Sequence, residues 1–288
     1  MDLIEPCQNG DVDINKSSNY GDTPLHIACR NNHIELVKLL LENKNVDINK
    51  LSKYSDTPLN IACIYNHIEI VKLLSERPEI DVNKPDNNNL TPFYMACRQN
   101  SIIIVKLLLQ RFDIDINKSD NNGNIPLKSA CKGNYIELVK ILLERPEIDI
   151  NKSDKYNKTP FYYACIYNHI EIVKMLLERP EIDINKPDKY NKIPFYYACS
   201  NGNIEILKLL LERQDIDINI QNIYGNTSLH CACHWNHIEI VRLLLDNPKI
   251  NLFIKNKKGE FFFTMKYLSK EMIDLIKPEE IIKFQKTD

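Results

Sequence analysis

The sequence has little of what marks several protein classes. It holds seven glycines and one tryptophan in 288 residues, and neither a glycine-rich phosphate loop nor the nucleophile elbow of a hydrolase is present. Its net charge is -2, so no overall basic field indicates a nucleic acid or an anionic membrane as partner. We therefore predict no catalytic residues and no enzymatic activity.

Long hydrophobic runs are also missing. The most apolar segment, SIIIVKLLLQRF, is interrupted by Lys106 and is much shorter than the roughly 20 apolar residues of a transmembrane helix. The first residues, MDLIEPCQNGD, have neither the cationic region nor the apolar core of a secretory signal. We expect no membrane association and a cytoplasmic protein, with the nucleus as the alternative compartment.

The composition is otherwise that of a folded chain, with 43% hydrophobic and 26% charged residues. Nine cysteines are an awkward number for a secreted disulfide scaffold, because an odd count leaves one without a partner. Seven of them recur every 34 residues, which gives each the same expected environment: Cys29, Cys63, Cys97, Cys131, Cys165, Cys199 and Cys233.

The residues before each of these cysteines repeat as well. A fixed period of this size is typical of repeat proteins, in which each unit stacks on its neighbours. We predict one array over residues 1–288, with a partial unit at 1–16, seven repeats at 17–254, and a degenerate capping unit with a short helix at 255–288. The seven blocks are TPLHIAC, TPLNIAC, TPFYMAC, IPLKSAC, TPFYYAC, IPFYYAC and TSLHCAC.

The fifth repeat shows how each unit is expected to fold. Thr159 can cap a helix that starts at Pro160, where the missing N–H costs nothing. Phe161 and Cys165 then lie on one face of a short helix, and Asn168 suits the left-handed backbone that ends it.

The second helix of the repeat, IEIVKMLLE, carries an apolar stripe that includes Leu177, and Glu171 can pair with Lys174 on its outer face. The segment IDINK then extends the chain, and a turn rich in Asp, Asn and Lys leads to the next unit. Helices of about eight residues are not stable alone in water, so stacking of the units must stabilise them.

The block TPLHIAC at Thr23 resembles the ankyrin repeat pattern T-P-L-H-x-A. NHIELVKLLL from Asn32 and VDIN from Val46 resemble the second helix of that family and the segment after it, and the resemblance covers roughly residues 3–277. It implies an all-α solenoid of stacked helix-turn-helix units with extended, hairpin-like loops. The pattern's histidine remains only at His26 and His230, so its hydrogen bonds between repeats are not expected at Asn60, Tyr94, Lys128, Tyr162 and Tyr196.

The resemblance also implies a non-enzymatic protein-binding module or scaffold that uses its turn tips and the exposed side of its first helices. Aromatic residues recur at those positions, and such residues dominate binding hot spots. With the neighbouring lysines they favour a partner protein with an acidic surface. We expect the chain itself to be a monomer. The candidate residues are Tyr54, Tyr65, Tyr156, Lys158, Tyr167, Tyr190, Lys192, Tyr224 and Trp235.

Three alternatives stay open. The lysine-rich turns can be merely solvated, with the tyrosines stacked along the array. Aromatics and lysines can also bind single-stranded nucleic acid, which would make binding strongly salt-dependent. In the segment HCACHWNH, His230 and His234 have the i, i+4 spacing of zinc ligands. However, His230, Cys233 and His237 are ordinary repeat positions, so we predict neither metal nor cofactor.

The resemblance implies one modification. The asparagine after Asp-Ile or Asp-Val is hydroxylated in some ankyrin proteins, and it occurs here as Asn49, Asn83, Asn117, Asn151 and Asn185.

Overall fold

The computed structural model describes residues 13–266 and 268–277. Within these ranges the regular secondary structure is helical and no residue is in a strand, as predicted. Each of the seven repeats contributes two helices. In order they are Pro24–Arg30 and Ile34–Glu42, Pro58–Ile64 and Ile68–Ser75, Pro92–Arg98 and Ile102–Leu108, Pro126–Gly133 and Ile136–Leu143, Pro160–Ile166 and Ile170–Leu177, Pro194–Asn201 and Ile204–Leu211, and Ser228–His234 and Ile238–Leu245.

The degenerate unit after repeat 7 is shorter. It has a 3-10 helix, Phe262–Thr264, where the other units have a first helix, and an α-helix, Lys270–Ile276, in the second position. Residues 1–12 of the partial unit predicted at 1–16 lie outside the described residues. The short helix predicted near the C-terminus, from Pro278 onward, lies wholly outside them.

The chain divides into two compact units, Met1–Asp149 and Ile150–Asp288. The helices of repeats 1–4 belong to the first unit, and those of repeats 5–7 belong to the second. Inside each unit, first helices pack on the first helices of neighbouring repeats, and second helices pack on second helices. Each short helix is therefore held by its neighbours, as its length requires.

The first helices begin as the sequence predicts. In repeat 5 the Thr159 hydroxyl accepts a hydrogen bond from the N–H of Tyr162 at 3.1 Å, and Pro160 takes the first helical position. Ile193 replaces the threonine in repeat 6 and makes no such cap, yet its backbone keeps the same extended conformation. Asn168 has a φ of 58°, so the left-handed position after the helix is confirmed.

The predicted core positions are buried. Phe161, Ala164 and Cys165 have no exposed surface, and the seven periodic cysteines are all buried. Burial raises the pKa of the Cys63 thiol well above its usual range, which keeps that thiol protonated and unreactive. Leu177 is only partly buried, so the stripe of the second helix is narrower than expected.

One predicted contact of the second helices is wrong in repeat 5. The Nζ atom of Lys174 lies 3.4 Å from a carboxylate oxygen of Glu205 in the next repeat, instead of pairing with Glu171. The expected pairing within one helix forms in repeat 1, where the Nζ atom of Lys38 lies 2.8 Å from Oε1 of Glu35. Both kinds of pair are exposed, so neither contributes much to the stability of the fold.

The asparagines after Asp-Ile and Asp-Val join successive repeats. The Oδ1 atom of Asn185 accepts a hydrogen bond from the N–H of Asp217 at 3.0 Å, and its Nδ2 donates to the carbonyl of Asp215 at 2.6 Å. Both bonds recur at every described repeat junction within the two units. The residues that make them are Asn15, Asn49, Asn83, Asn117, Asn151, Asn185 and Asn219.

Candidate protein-binding surface

The seven predicted aromatic residues are all exposed, with between 40% and 63% of their surface accessible. Tyr54 and Tyr65 belong to the first compact unit. The other five belong to the second unit, together with the two predicted lysines. These five are Tyr156, Tyr167, Tyr190, Tyr224 and Trp235.

Buried aspartates hold the turn tips of repeats 5 and 6. The Oδ1 atom of Asp154 accepts hydrogen bonds from the N–H groups of Tyr156 and Lys158 at 2.8 and 3.0 Å. Its Oδ2 atom accepts a bond of 2.8 Å from the hydroxyl of Tyr163. Asp188 makes the equivalent three bonds one repeat later. These carboxylates therefore fix the direction in which the tip tyrosines and lysines project.

Lysine ammonium groups lie over the faces of the tip tyrosines. The Nζ atom of Lys189 is 4.7 Å from the ring centre of Tyr156 and 4.9 Å from that of Tyr190. Such cation–π contacts contribute about 0.5–1 kcal/mol each at exposed sites and restrict the lysine side chain. We name this patch the lysine–tyrosine surface; it consists of Lys155, Tyr156, Lys158, Lys189, Tyr190 and Lys192.

A layer of tyrosines lies behind this surface. The rings of Tyr162 and Tyr197 meet edge to face with centres 4.9 Å apart, and Tyr163 stacks on Tyr167 at 6.3 Å. Burial raises the pKa of the Tyr162 hydroxyl, which therefore stays neutral near pH 7. The alternative in which tyrosines stack along the array describes this inner layer. The tip residues Tyr156 and Tyr190 lie in front of this layer and remain 40% exposed.

The histidines of the ankyrin pattern have structural contacts. His230 has Nδ1 2.8 Å from the hydroxyl of Thr227 and Nε2 3.2 Å from the carbonyl oxygen of Glu260. Burial lowers the pKa of His230, so the ring is neutral at pH 7. In repeat 2 the equivalent residue is Asn60, whose buried amide has no hydrogen-bond partner. The expected loss of this hydrogen bond is therefore confirmed at Asn60.

The zinc alternative has no geometric support. Both ring nitrogens of His230 are engaged, and Nε2 of His237 lies 3.0 Å from the carbonyl oxygen of Ser200. The ring of His234 instead packs edge-on against Trp235, with centres 5.2 Å apart. In the described part of the chain, no three side chains of His, Cys, Asp or Glu are grouped to hold a metal.

Sequence reasoning missed the two aspartates that fix the tips, Asp154 and Asp188. The signal is present, because SDKYNK in repeat 5 and PDKYNK in repeat 6 place the same residues at the same positions.

Along residues 13–266 and 268–277, no helix is both long and apolar enough to span a membrane.

The sequence matches the family described as ankyrin repeats (3 copies) over residues 2–86, 79–154, 104–188 and 181–256. This protein therefore belongs to the ankyrin repeat family. A similar solved structure is the ankyrin repeat domain of Bcl-3, described as a unique member of the IkappaB protein family. The identity is 25% and the TM-score 0.68, over 77% of this chain and 99% of that one. The search of curated proteins found no match. Ankyrin repeats are in general protein–protein interaction modules.

Proposed function

We propose that this chain is a non-enzymatic protein-binding module or scaffold, and that the lysine–tyrosine surface of repeats 5 and 6 is its main contact with a partner. The observation that carries the proposal is the position of Lys189 between the rings of Tyr156 and Tyr190. A cation held in this way loses little conformational freedom on binding, and preorganisation of this kind raises affinity. Tyrosine rings that are 40% exposed supply contact area beside it.

The charge of the surface supports one class of partner. Lys155 and Lys189 are exposed, and Lys158 and Lys192 are partly exposed, whereas the nearby carboxylates of Asp154 and Asp188 are buried. Both carboxylates accept hydrogen bonds from the tips. We therefore propose a partner protein with an acidic surface, a monomeric array, and action in the cytoplasm or the nucleus. Exposed aromatics outside the lysine–tyrosine surface extend the contact: Tyr54, Tyr65, Tyr167, Tyr224 and Trp235.

Single-stranded nucleic acid fits this surface less well than an acidic protein. Bases bind by stacking on open aromatic faces. Three lysines, Lys155, Lys158 and Lys189, lie over the ring of Tyr156 at 5.2, 6.0 and 4.7 Å, and a stacked base would have to displace them. Nuclease treatment before capture separates the two partners, because a nucleic acid would be lost and a protein retained.

Affinity capture from native lysate tests the proposal. The variant with Tyr156→Ala, Tyr167→Ala and Tyr190→Ala should remain folded and lose the protein that wild type retains. The comparison variant is Tyr54→Ala with Tyr65→Ala, which truncates the equivalent tip and helix-end positions of repeat 2. It should weaken capture less than the triple variant, because repeats 5 and 6 make the main contact. If the triple variant stays folded and retains every wild-type partner, the lysine–tyrosine surface is not the binding site.

A further inference from the structure

A cavity of about 470 Å³ lies in the second compact unit, beside the first helix of repeat 7. The exposed rings of Tyr224 and Trp235 and the buried ring of Tyr196 form part of its wall, with the side chain of Met265. Its volume is at the lower end of the range for ligand sites, so it fits a side chain and its adjoining backbone better than a whole folded surface. We name it the repeat 7 pocket.

The shortened unit after repeat 7 explains why the pocket exists. Within this compact unit, Ser228–His234 packs against the eight-residue helix Pro194–Asn201 of the preceding repeat. On its other side the described residues provide only the three-residue 3-10 helix Phe262–Thr264. A turn of that length spans about 6 Å, whereas a full first helix spans roughly 10 Å. The end of Ser228–His234 and the neighbouring Trp235 are therefore left open.

The rear wall of the pocket is fixed. His230 is 1% exposed and held by Thr227 and the carbonyl oxygen of Glu260. The buried amide of Asn256 donates hydrogen bonds to Oε2 of Glu260 at 2.9 Å and to Oδ1 of Asn226 at 3.1 Å. These contacts satisfy the buried polar groups of the wall without a ligand. A ligand therefore gains mainly from contact with the aromatic rings and from the charges around the pocket.

The charges around the pocket are mainly positive. Lys257 and Lys258 line it together with one carboxylate, that of Glu260, which the Asn256 amide already contacts. The backbone N–H of Lys257 donates to the carbonyl of Tyr224 at 3.0 Å, which fixes the lysine turn beside the aromatic wall. Charges at the edge of a binding site select the partner by sign, and here they favour a carboxylate.

We propose that the repeat 7 pocket binds one apolar side chain of the partner, of leucine or phenylalanine size, flanked by an acidic residue. This rests on the proposed function, because the ligand is a segment of the bound protein. The aromatic walls take the apolar side chain, and Lys257 and Lys258 take the flanking carboxylate. The pocket thereby adds sequence specificity to the charge-driven contact at the lysine–tyrosine surface.

The only tryptophan of the chain, Trp235, reports directly on this pocket. Blocked tripeptides without tryptophan can therefore be titrated into the full-length protein while its fluorescence is recorded. Glu-Leu-Glu should shift the emission of Trp235 with a saturable curve. Glu-Ala-Glu should bind at least about tenfold more weakly, because its side chain buries little apolar surface. Lys-Leu-Lys should also bind more weakly, because its charges are repelled.

The variant Lys257→Gln with Lys258→Gln should lose the preference for Glu-Leu-Glu over Lys-Leu-Lys and keep the preference for leucine over alanine. Tyr54→Ala with Tyr65→Ala, at equivalent positions of repeat 2, should change neither preference. The proposal is overturned if the emission does not saturate by about 1 mM, which corresponds to about -4 kcal/mol of binding. It is also overturned if the three peptides bind equally.

A chain ending at Lys277 controls for the protein's own C-terminal residues as occupant. Its affinity for Glu-Leu-Glu should equal that of the full chain, and an affinity about tenfold higher would assign the pocket to those residues and overturn the proposal. Capture by the lysine–tyrosine surface is measured with other variants. Failure of the peptides therefore leaves the proposed function standing, and loss of function at the tips leaves peptide binding intact.

Discussion

Replacing Phe161 with alanine should destabilise the second compact unit strongly. Phe161 has no exposed surface and lies in the helix Pro160–Ile166, which packs on Pro194–Asn201. The substitution removes a whole ring from a closely packed interface. A change of this kind costs about 3–5 kcal/mol, the sum of lost burial and of the cavity left behind. Each repeat is stabilised by its neighbours, so the loss should extend beyond repeat 5.

The chain itself offers a matched control for this substitution. The equivalent position holds leucine in repeats 1, 2, 4 and 7, and phenylalanine in repeats 3, 5 and 6. Phe161→Leu therefore keeps a side chain that the fold accepts at this place. We expect it to cost about 1–1.5 kcal/mol, since most of the apolar volume remains.

Urea unfolding followed by the fluorescence of Trp235 measures both variants, because Phe161 and Trp235 belong to the same compact unit. The free energy of unfolding should fall in the order wild type, Phe161→Leu, Phe161→Ala. The triple tyrosine variant should lose less than Phe161→Ala, because exposed side chains and cation–π contacts contribute little individually. A cost below about 1 kcal/mol for Phe161→Ala would refute the assignment of this residue to the core.

Three further predictions concern other parts of the fold. Asn185→Ala should lower the free energy of unfolding by about 1–2 kcal/mol, because it removes two hydrogen bonds to the next repeat. Asn185→Asp should lower it further, because the new carboxylate would face the carbonyl oxygen of Asp215. Equal stability of wild type and both variants in urea would contradict this. His230 has a lowered pKa in the folded state and about 6.5 when unfolded, so protons favour the unfolded chain and stability is lost as pH falls below about 6.5. The loss is at most about 1.4 kcal/mol per pH unit, and His230→Gln should flatten this part of the pH profile. Eight buried cysteines should react with a thiol reagent only on unfolding, and rapid labelling of several of the nine in native protein would contradict their burial.

The regular parts of the fold could be predicted because each signal is local and recurs seven times. Thr159, Pro160 and Asn168 define the ends of a helix by their own backbone preferences, and the structure has them in those roles. The burial of Phe161 and Cys165 follows from their spacing along that helix. Repetition makes each of these predictions stronger, because an accidental pattern would not return every 34 residues.

Contacts between repeats could not be predicted in the same way. The pairing of Lys174 with Glu205 depends on the distance between two stacked helices, which the sequence spacing of Glu171 and Lys174 does not contain. The two hydrogen bonds of Asn185 depend on the same stacking distance. The exposure of the candidate aromatics follows from their place in the repeat. The burial of Asp154 beneath a tip does not, because charged residues are usually expected at the surface.

The repeat 7 pocket was invisible in the sequence for a related reason. In HCACHWNH the spacing of His230 and His234 suggests zinc only as an alternative, and no residue pattern there indicates a pocket. In the structure His230 caps a helix and Trp235 lies on an open wall. The pocket depends on how early the first helix of the following unit ends, at Thr264. Helix ends in a degenerate unit are the boundaries that residue patterns define least well.

The most direct test of the central claim is the affinity of the captured partner for a variant without two charges of the lysine–tyrosine surface. Lys158→Gln with Lys192→Gln keeps most of the length of both side chains and removes their charge. Each exposed ion pair with the partner contributes about 0.2–1 kcal/mol of binding free energy. Because two pairs are lost, the dissociation constant should rise about 2- to 30-fold at low salt. The difference from wild type should shrink as salt is raised. An unchanged dissociation constant at low salt, in a variant as stable as wild type, would contradict the account.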